Sequence, residues 1–577
     1  MKKENEILLM SAYKPQDRMV AEYCYEVFQA IKQTFTDSIS IKVCTIERKK
    51  TNYKYSPEVK YKLLISDQKQ YNNIAGQINK NDAINLLCLQ YDFDLYNEAF
   101  NKNILNILYT ISKPIVLTFH HITEDRRIAD KNVITEMINI SKKIIVTNLY
   151  DAEVLKSVFN TPYEKILVIE FTDPQDYSYN WKHNHDNEIQ NSAIAYANLF
   201  KKLINERSTL KYSVSAIALD HLKNLTNHVG IIRYSKGSQP DLNSGYSLND
   251  QAHALIALTL YNEMMLNQAS PEQIDIFLQY IEVNQRPNGT FIPLRNKYGN
   301  PKLNNSNSFN QIAIGRTIWA LGEFVSRAHL FSPNQIKTAE KLLERSIPII
   351  EEFDSPKAIA FAIKGLYHYN INKKSEYIKR LIILIANNLI SKYKGLNTIE
   401  TEWFEDSITF ENSVLPESLL YAYLETGKEI YKTVAKQSFD HLLSITFDAD
   451  KIQIVSTKEF YENDHELFLF HEYPIDVSYT ILALDLFLEI FNETEYWDKL
   501  EMAFSWFNGN NSLLEVMYDK TTGGCYDELK ENPKNLNESA ESTLTYLIAR
   551  LIIEKYITTT EEKEKEEVVP EPEILVY

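Results

Sequence analysis

The sequence predicts a multidomain protein: a Rossmann-like α/β domain over residues 1–180, then an all-helical (α/α)6 toroid over 213–556. Three observations predict it. Up to residue 180, short aliphatic runs alternate with helical patterns. Beyond 213 the pattern is helical only, and amphipathic helices come in pairs. The connections there alternate long and short, and the long ones collect the unusual residues: Gly245, Trp403, Phe404, Glu405, Asp406 and the run Gly523-Gly524-Cys525-Tyr526-Asp527. When successive helices reverse direction, every second connection falls on the same rim. One rim is then plain and the other is loaded with carboxylates, amides and aromatics.

In the first domain, strands are expected at 7–10, 41–45, 61–65, 84–89, 114–119, 143–147 and 166–170, with helices near 17–35, 69–80, 98–112, 126–141 and 149–158. Several of the strands are apolar throughout, as strands covered by helices on both faces are. The alternation argues a doubly wound, mostly parallel sheet, which binds ligands beyond the carboxyl ends of its strands. A polar linker and a crossover helix fill 181–212. In the second domain the expected helices are 213–228, 250–266, 271–284, 310–328, 333–350, 356–370, 373–392, 411–426, 429–446, 474–492, 495–508 and 538–556, which makes six pairs. The long loops 229–249, 285–309, 393–410, 447–473 and 509–537 each precede the first helix of a pair. Those first helices form the inner ring and aim their N-termini, with their free N–H donors, into the mouth.

Composition narrows the function classes. The 577 residues suffice for two sizeable cores, and no apolar run approaches the roughly 20 residues of a membrane helix. No secretory signal is evident at the start, and the four cysteines lie far apart, so a cytoplasmic location is expected, without disulfides or a metal site. A net charge of −17 without a basic patch argues against nucleic acid. The acidic segment 557–577 is expected to be disordered.

The runs Ala12-Tyr13-Lys14-Pro15, Asn85 to Phe93, Lys113 to His120 and Lys165 to Ile169 resemble, in order and spacing, the acceptor-side half of GT-B-fold glycosyltransferases. The resemblance is to the bacterial, family-four-like subgroup with an appended (α/α)6 domain. It extends over 225–555 through Gly245-Tyr246-Ser247, Gly315-Arg316, Trp403-Phe404-Glu405-Asp406, Glu411-Asn412-Ser413, Pro474-Ile475-Asp476 and Asn537-Glu538. It implies a carbohydrate-directed protein, but the chain departs from the family. Arg18-Met19 replaces the glycine-rich turn, where a Cβ would meet donor phosphates. Of the family's polar signature positions only His120 remains, Gln311 and Ile312 stand where an acidic residue is usual, and the donor-binding half is missing.

On the loaded rim, Glu405, Asp406, Asp476, Glu538 and Glu541 are the candidate catalytic carboxylates, since glycoside hydrolysis needs two acids flanking one bond. Asp250, Tyr246, Arg316, Trp403, Phe404, Glu411, Tyr526, Asp527 and Asn537 are candidate sugar-binding residues, with Trp506 a further stacking ring, Glu402 a further acid and His471 a further acid or base. Acids in first helical turns also simply favour the helix dipole, and Arg316 also reads as a structural partner of an inner-ring carboxylate. Three functions stay open: an enzyme acting on glycosidic bonds, a pseudo-transferase that binds glycan or a partner transferase, and a transferase completed by another chain.

Overall fold

The computed structural model describes residues 6–35, 39–92, 98–122, 128–171, 181–204, 212–265, 271–302, 307–395, 403–448, 451–454, 472–530 and 535–567. The chain divides into two compact units, Met1–Val214 and Ser215–Tyr577. No described helix is long and apolar enough to cross a membrane.

Unit 1 is a parallel sheet of seven strands: β1 (Glu6–Ser11), β2 (Ser40–Glu47), β3 (Val59–Leu64), β4 (Ile84–Tyr91), β5 (Ile115–Phe119), β6 (Lys143–Val146) and β7 (Ile166–Val168). Their order is 3-2-1-4-5-6-7, and registers such as Ile7 on Ile41 and Leu9 on Cys88 hold the centre. Central β1, β4 and β5 are almost wholly buried, which is why they read as unbroken aliphatic runs. Five helices follow the strands: α1 (Met19–Thr34), α2 (Gln68–Lys80), α3 (Glu98–Thr110), α4 (Ile128–Ile140) and α5 (Leu149–Phe159). The strand order reverses after β3. Right-handed crossovers therefore put α1 on one face and α2, α3 and α4 on the other. A sixth helix, α6 (Trp181–Leu203), packs on α1. It begins at Trp181, about three turns before Ala193, and occupies much of the predicted linker, because Ile189, Ala193, Tyr196 and Phe200 recur at helical spacing and are buried.

Unit 2 contains α7 (Asp220–Leu225), α8 (Leu248–Met264), α9 (Pro271–Asn284), α10 (Asn307–Ser326), α11 (Pro333–Ile350), α12 (Pro356–Lys373), α13 (Glu376–Gly395), α14 (Val414–Thr426), α15 (Glu429–Thr446), α16 (Pro474–Phe491), α17 (Thr494–Ser505) and α18 (Ala540–Glu567). Even-numbered helices pack in sequence, α8 on α10, α10 on α12, and so on to α18, which returns to α8. Each takes an odd-numbered helix on its outer side, and α18 takes α7. This closed inner ring with an outer ring is the packing order of an (α/α)6 toroid. Inner helices are covered on both faces, so α8 is buried from Leu248 to Leu260. Outer α11 is strongly amphipathic and opens with a capping box at Ser332 and Gln335.

Two expectations need correction. The first helix spans only Asp220–Leu225 rather than 213–228; 213–219 carries Ser and Val, poor helix formers, and Ser215 instead offers its carbonyl to Arg550. The acidic segment expected to be disordered from 557 is helical to Glu567, where Glu and Lys alternate at spacings that support a helix.

The narrowest approach in the ring is between α10 and α12. A Cβ on Gly322 would lie 2.0 Å from the Gly365 carbonyl oxygen, and one on Gly365 would lie 2.3 Å from that of Ile318. These glycines let the two backbones touch.

Candidate functional site

Three inner helices deliver acids from their first turns. Before α8, Gly245 has φ +75 and a backbone so close to Arg295 that a Cβ would sit 2.1 Å from its carbonyl oxygen. The chain there pairs antiparallel, Tyr246 on Arg295 and Ser247 on Leu294. Ser247 then caps α8 by accepting from the Asn249 N–H, which leaves Asn249 and Asp250 in the first turn, 8% and 3% exposed. Asp476 stands in the first turn of α16 and Glu541 in that of α18. Glu541 is open to solvent yet closely flanked by protein, and Asp476 is half-buried.

Glu411 enters from the loop before α14 with φ +53, a left-handed conformation uncommon outside glycine. Its N–H donates to Asp476 Oδ1 at 2.5 Å, and its carboxylate pairs with the Arg316 guanidinium. Arg316 Nε donates to the Tyr479 hydroxyl (3.1 Å), which lies 2.8 Å from His253 Nε2. The guanidinium also sits 4.8 Å from the Phe361 ring centre. Lys357, in the first turn of α12, pairs with Glu405, donates to Thr409 Oγ1 (2.9 Å) and lies over the ring of exposed Phe410.

The acids perturb one another. Burial, reinforced by the charge of Glu541 and opposed by Arg233 and Arg316, pushes Asp250 up to about 8. Burial raises Asp476 to about 7, with the Glu411 N–H pulling down and the Glu411 charge pushing up. Glu541 is raised by burial, with Arg316 opposing and Glu411 adding. Burial, helped by Arg316 and Lys364, holds His253 neutral, well below its usual range. Asp250 thus keeps its proton near pH 7, and Asp476 titrates there.

Four buried polar atoms here have no hydrogen-bond partner among the described residues: Asn249 Oδ1, Asp250 Oδ2, His253 Nδ1 and Glu411 Oε2. Native structures pair the great majority of such atoms. Three of the four belong to one helix, α8, at positions i, i+1 and i+4, and Glu411 is joined to them through Arg316, Tyr479 and His253.

The structure brings Asp250, Arg316, Glu411, Asp476 and Glu541 together, with Glu405 attached through Lys357. Other candidates fall elsewhere. Glu538 is buried, accepts from Thr522 Oγ1 at 2.6 Å and lies 3.7 Å from His221; the turn at Gly524 presses on it so closely that a Cβ would come within 2.1 Å of its Oε2. Asp527 caps α18, accepting from the Ser539 N–H, the Ser539 hydroxyl and the Ser542 hydroxyl at 2.8, 2.7 and 2.6 Å. Asn537 accepts from the Gly237 N–H. Tyr246, Trp403, Phe404, Trp506 and Tyr526 are buried and present no face to a sugar; Phe404, for one, packs against Tyr393. Asp406 is exposed. Glu402 and His471 lie outside the described residues. Among the described residues no cluster of His, Cys, Asp and Glu is placed to hold a metal ion.

Sequence reasoning missed Asn249, His253, Lys357 and Tyr479. Helical spacing carried the signal for three of them: His253 follows Asp250 by three, Tyr479 follows Asp476 by three, and Lys357 stands in the first turn of an inner helix. In unit 1, His120 donates from Nε2 to Gln90 Oε1 at 2.8 Å beyond the ends of β4 and β5, and burial lowers it to about 4.

No family model and no curated protein matches the sequence. Solved structures do resemble part of it. A D-mannose isomerase is 14% identical with a TM-score of 0.45, covering 58% of this chain and 96% of its own. A cellobiose 2-epimerase from Bacillus thermoamylovorans is 11% identical (TM-score 0.45; 58% and 96% covered). An alpha-mannanase from Bacteroides thetaiotaomicron is 11% identical (TM-score 0.41; 55% and 88% covered).

Proposed function

We propose that the mouth of unit 2 binds a short glycan and that Asp476 and Glu541 perform acid–base work on it. The observation that carries this reading is the set of unpartnered polar atoms on Asn249, Asp250, His253 and Glu411. A sugar hydroxyl both donates and accepts, so one polyol satisfies a neutral carboxyl and a charged one together. Asp250, neutral below about pH 8, donates to a hydroxyl, and the free oxygen of Glu411 accepts from one. Arg316 fixes Glu411, and Tyr479 with His253 fixes Arg316. Between Asp476 and Glu541, whichever carboxyl keeps its proton protonates the departing glycosidic oxygen, and the ionised one takes a proton from the attacking water. Lys357 neutralises Glu405, which removes Glu405 from that chemistry and makes it a support for the 403–410 loop.

The test is a glycan-array screen followed by calorimetry and mass spectrometry on Asp476→Asn and Glu541→Gln. Retained binding with product formation lost in both supports the reading. Absence of any saturable glycan binding by the wild-type chain overturns it.

A second reading is a non-catalytic relative of a glycosyltransferase that binds glycan or a partner transferase. It is supported by unit 1, where the turn before α1 has no glycine and Arg18 makes no side-chain cap. Calorimetry with common nucleotide sugars separates this from a transferase completed by another chain, which alone requires donor affinity.

A further inference from the structure

The rim expected to be plain is not. At the C-terminal ends of the inner helices lies a cavity of ≈ 340 Å³. Its floor is a buried ion pair, Lys364 with Glu417 at 2.8 Å, and the Lys364 ammonium rests 3.8 Å from the Trp319 ring centre. Its wall is a three-ring cluster: Tyr367, His368 and Tyr421, with centroids 4.9 to 5.3 Å apart.

The charges do not balance. Five carboxylates line the cavity, against three permanent cations. Arg327 pairs with Glu263 and Glu323, Lys364 with Glu417, and Lys555 with Asp485. His368 leans on Glu323 at 2.8 Å. Glu489 is exposed and has no ion-pair partner among the described residues. The hydroxyls of Tyr367 and Tyr421 make no hydrogen bond to described residues. Inner helices end here, and their C-termini add partial negative charge. Exposed Ile371 and Leu424 flank the opening. The cavity therefore offers π faces, of which that of Tyr421 also meets the Lys364 ammonium at 5.9 Å, together with surplus negative potential and an apolar lip.

We propose that this cavity is a second ligand site, distinct from the glycan mouth, which takes a small organic ammonium against Tyr367 and Tyr421 with Glu489 as its counter-charge. Ammonium groups bind aromatic faces through the ring quadrupole, and the attraction strengthens when water is excluded. An apolar skirt around the charge fits Ile371 and Leu424. An anion would meet only cations already paired.

The test is isothermal titration of the full chain with choline chloride and, in parallel, with its neutral isostere 3,3-dimethylbutan-1-ol. Choline is expected to saturate and the alcohol not to. Tyr421→Ala should weaken choline about tenfold, Glu489→Gln severalfold, and Asp250→Asn not at all. If Tyr421→Ala fails to fold, exposed Glu489→Gln still decides the matter. No saturation by choline in the millimolar range, equal binding of the alcohol, or loss of binding in Asp250→Asn overturns the proposal. Failure of the glycan reading leaves choline binding untouched, so the two stand or fall separately.

Discussion

Asp250→Asn should make the protein more stable and less able to bind glycan. Asp250 is 3% exposed and keeps its proton to about pH 8 in the folded chain, against an ordinary aspartate value of 3.8. Between those values the native state holds a proton that the unfolded state has released. Stability from this group is fully present below pH 4 and is lost as pH rises, at about 1.4 kcal/mol per unit. By pH 7 the loss approaches roughly 4 kcal/mol. Asparagine is nearly isosteric and cannot ionise, though its amide still pays part of the burial cost. The expected gain is therefore about 2–4 kcal/mol at pH 7 and near zero at pH 4, seen by calorimetry as a melting temperature roughly 3–5 °C higher for a unit of this size. Glycan affinity should fall about tenfold or more, because a buried donor has been changed in kind. A carboxylate serving only to hold the fold would behave in the opposite way. A lower melting temperature at pH 7, or an equal gain at pH 4 and pH 7, refutes the reasoning.

Arg316→Met strands the Glu411 carboxylate, 3% exposed, and should cost about 3–5 kcal/mol in urea denaturation, most of it recovered in the double variant with Glu411→Gln; a double variant as unstable as the two losses added together would show that the pair is not the unit. Gly365→Ala puts a methyl group 2.3 Å from the Ile318 carbonyl oxygen, so α10 and α12 must separate; a loss of about 1–3 kcal/mol or more is expected in thermal melts, and an unchanged melting temperature would exclude the close approach.

Much of the architecture was legible because its signals are local. All seven strands of unit 1 appear where the alternation of short aliphatic runs and helical patterns placed them, and α9, α11 and α15 match their expected spans to the residue. The site was legible only in part. First-turn position on an inner helix drew attention to Asp250, Asp476 and Glu541, whose charges act on one another in the fold. The same rule could not separate them from Glu538, which sits three residues before Glu541 but turns into a pocket made by Thr522 and His221. Residue type misled most for the aromatics. Trp403, Phe404 and Tyr526 suggest sugar platforms, yet long loops need cores of their own, and these rings supply them. The plain rim misled for a related reason: its short turns carry no motif, and the acids, cations and rings of the second cavity belong to helix interiors that read as ordinary packing.

The sequence by itself determined most of the strands and helices, that the second unit pairs its helices, and which loops share a rim, because periodicity and caps act over a few residues. Only the tertiary structure decided which acids are buried together, that Glu411 and Arg316 form one pair, and that charge is left over at the far end of the toroid. Those properties depend on distance and desolvation between residues far apart in the chain, such as Arg316 and Tyr479, and no local pattern encodes them.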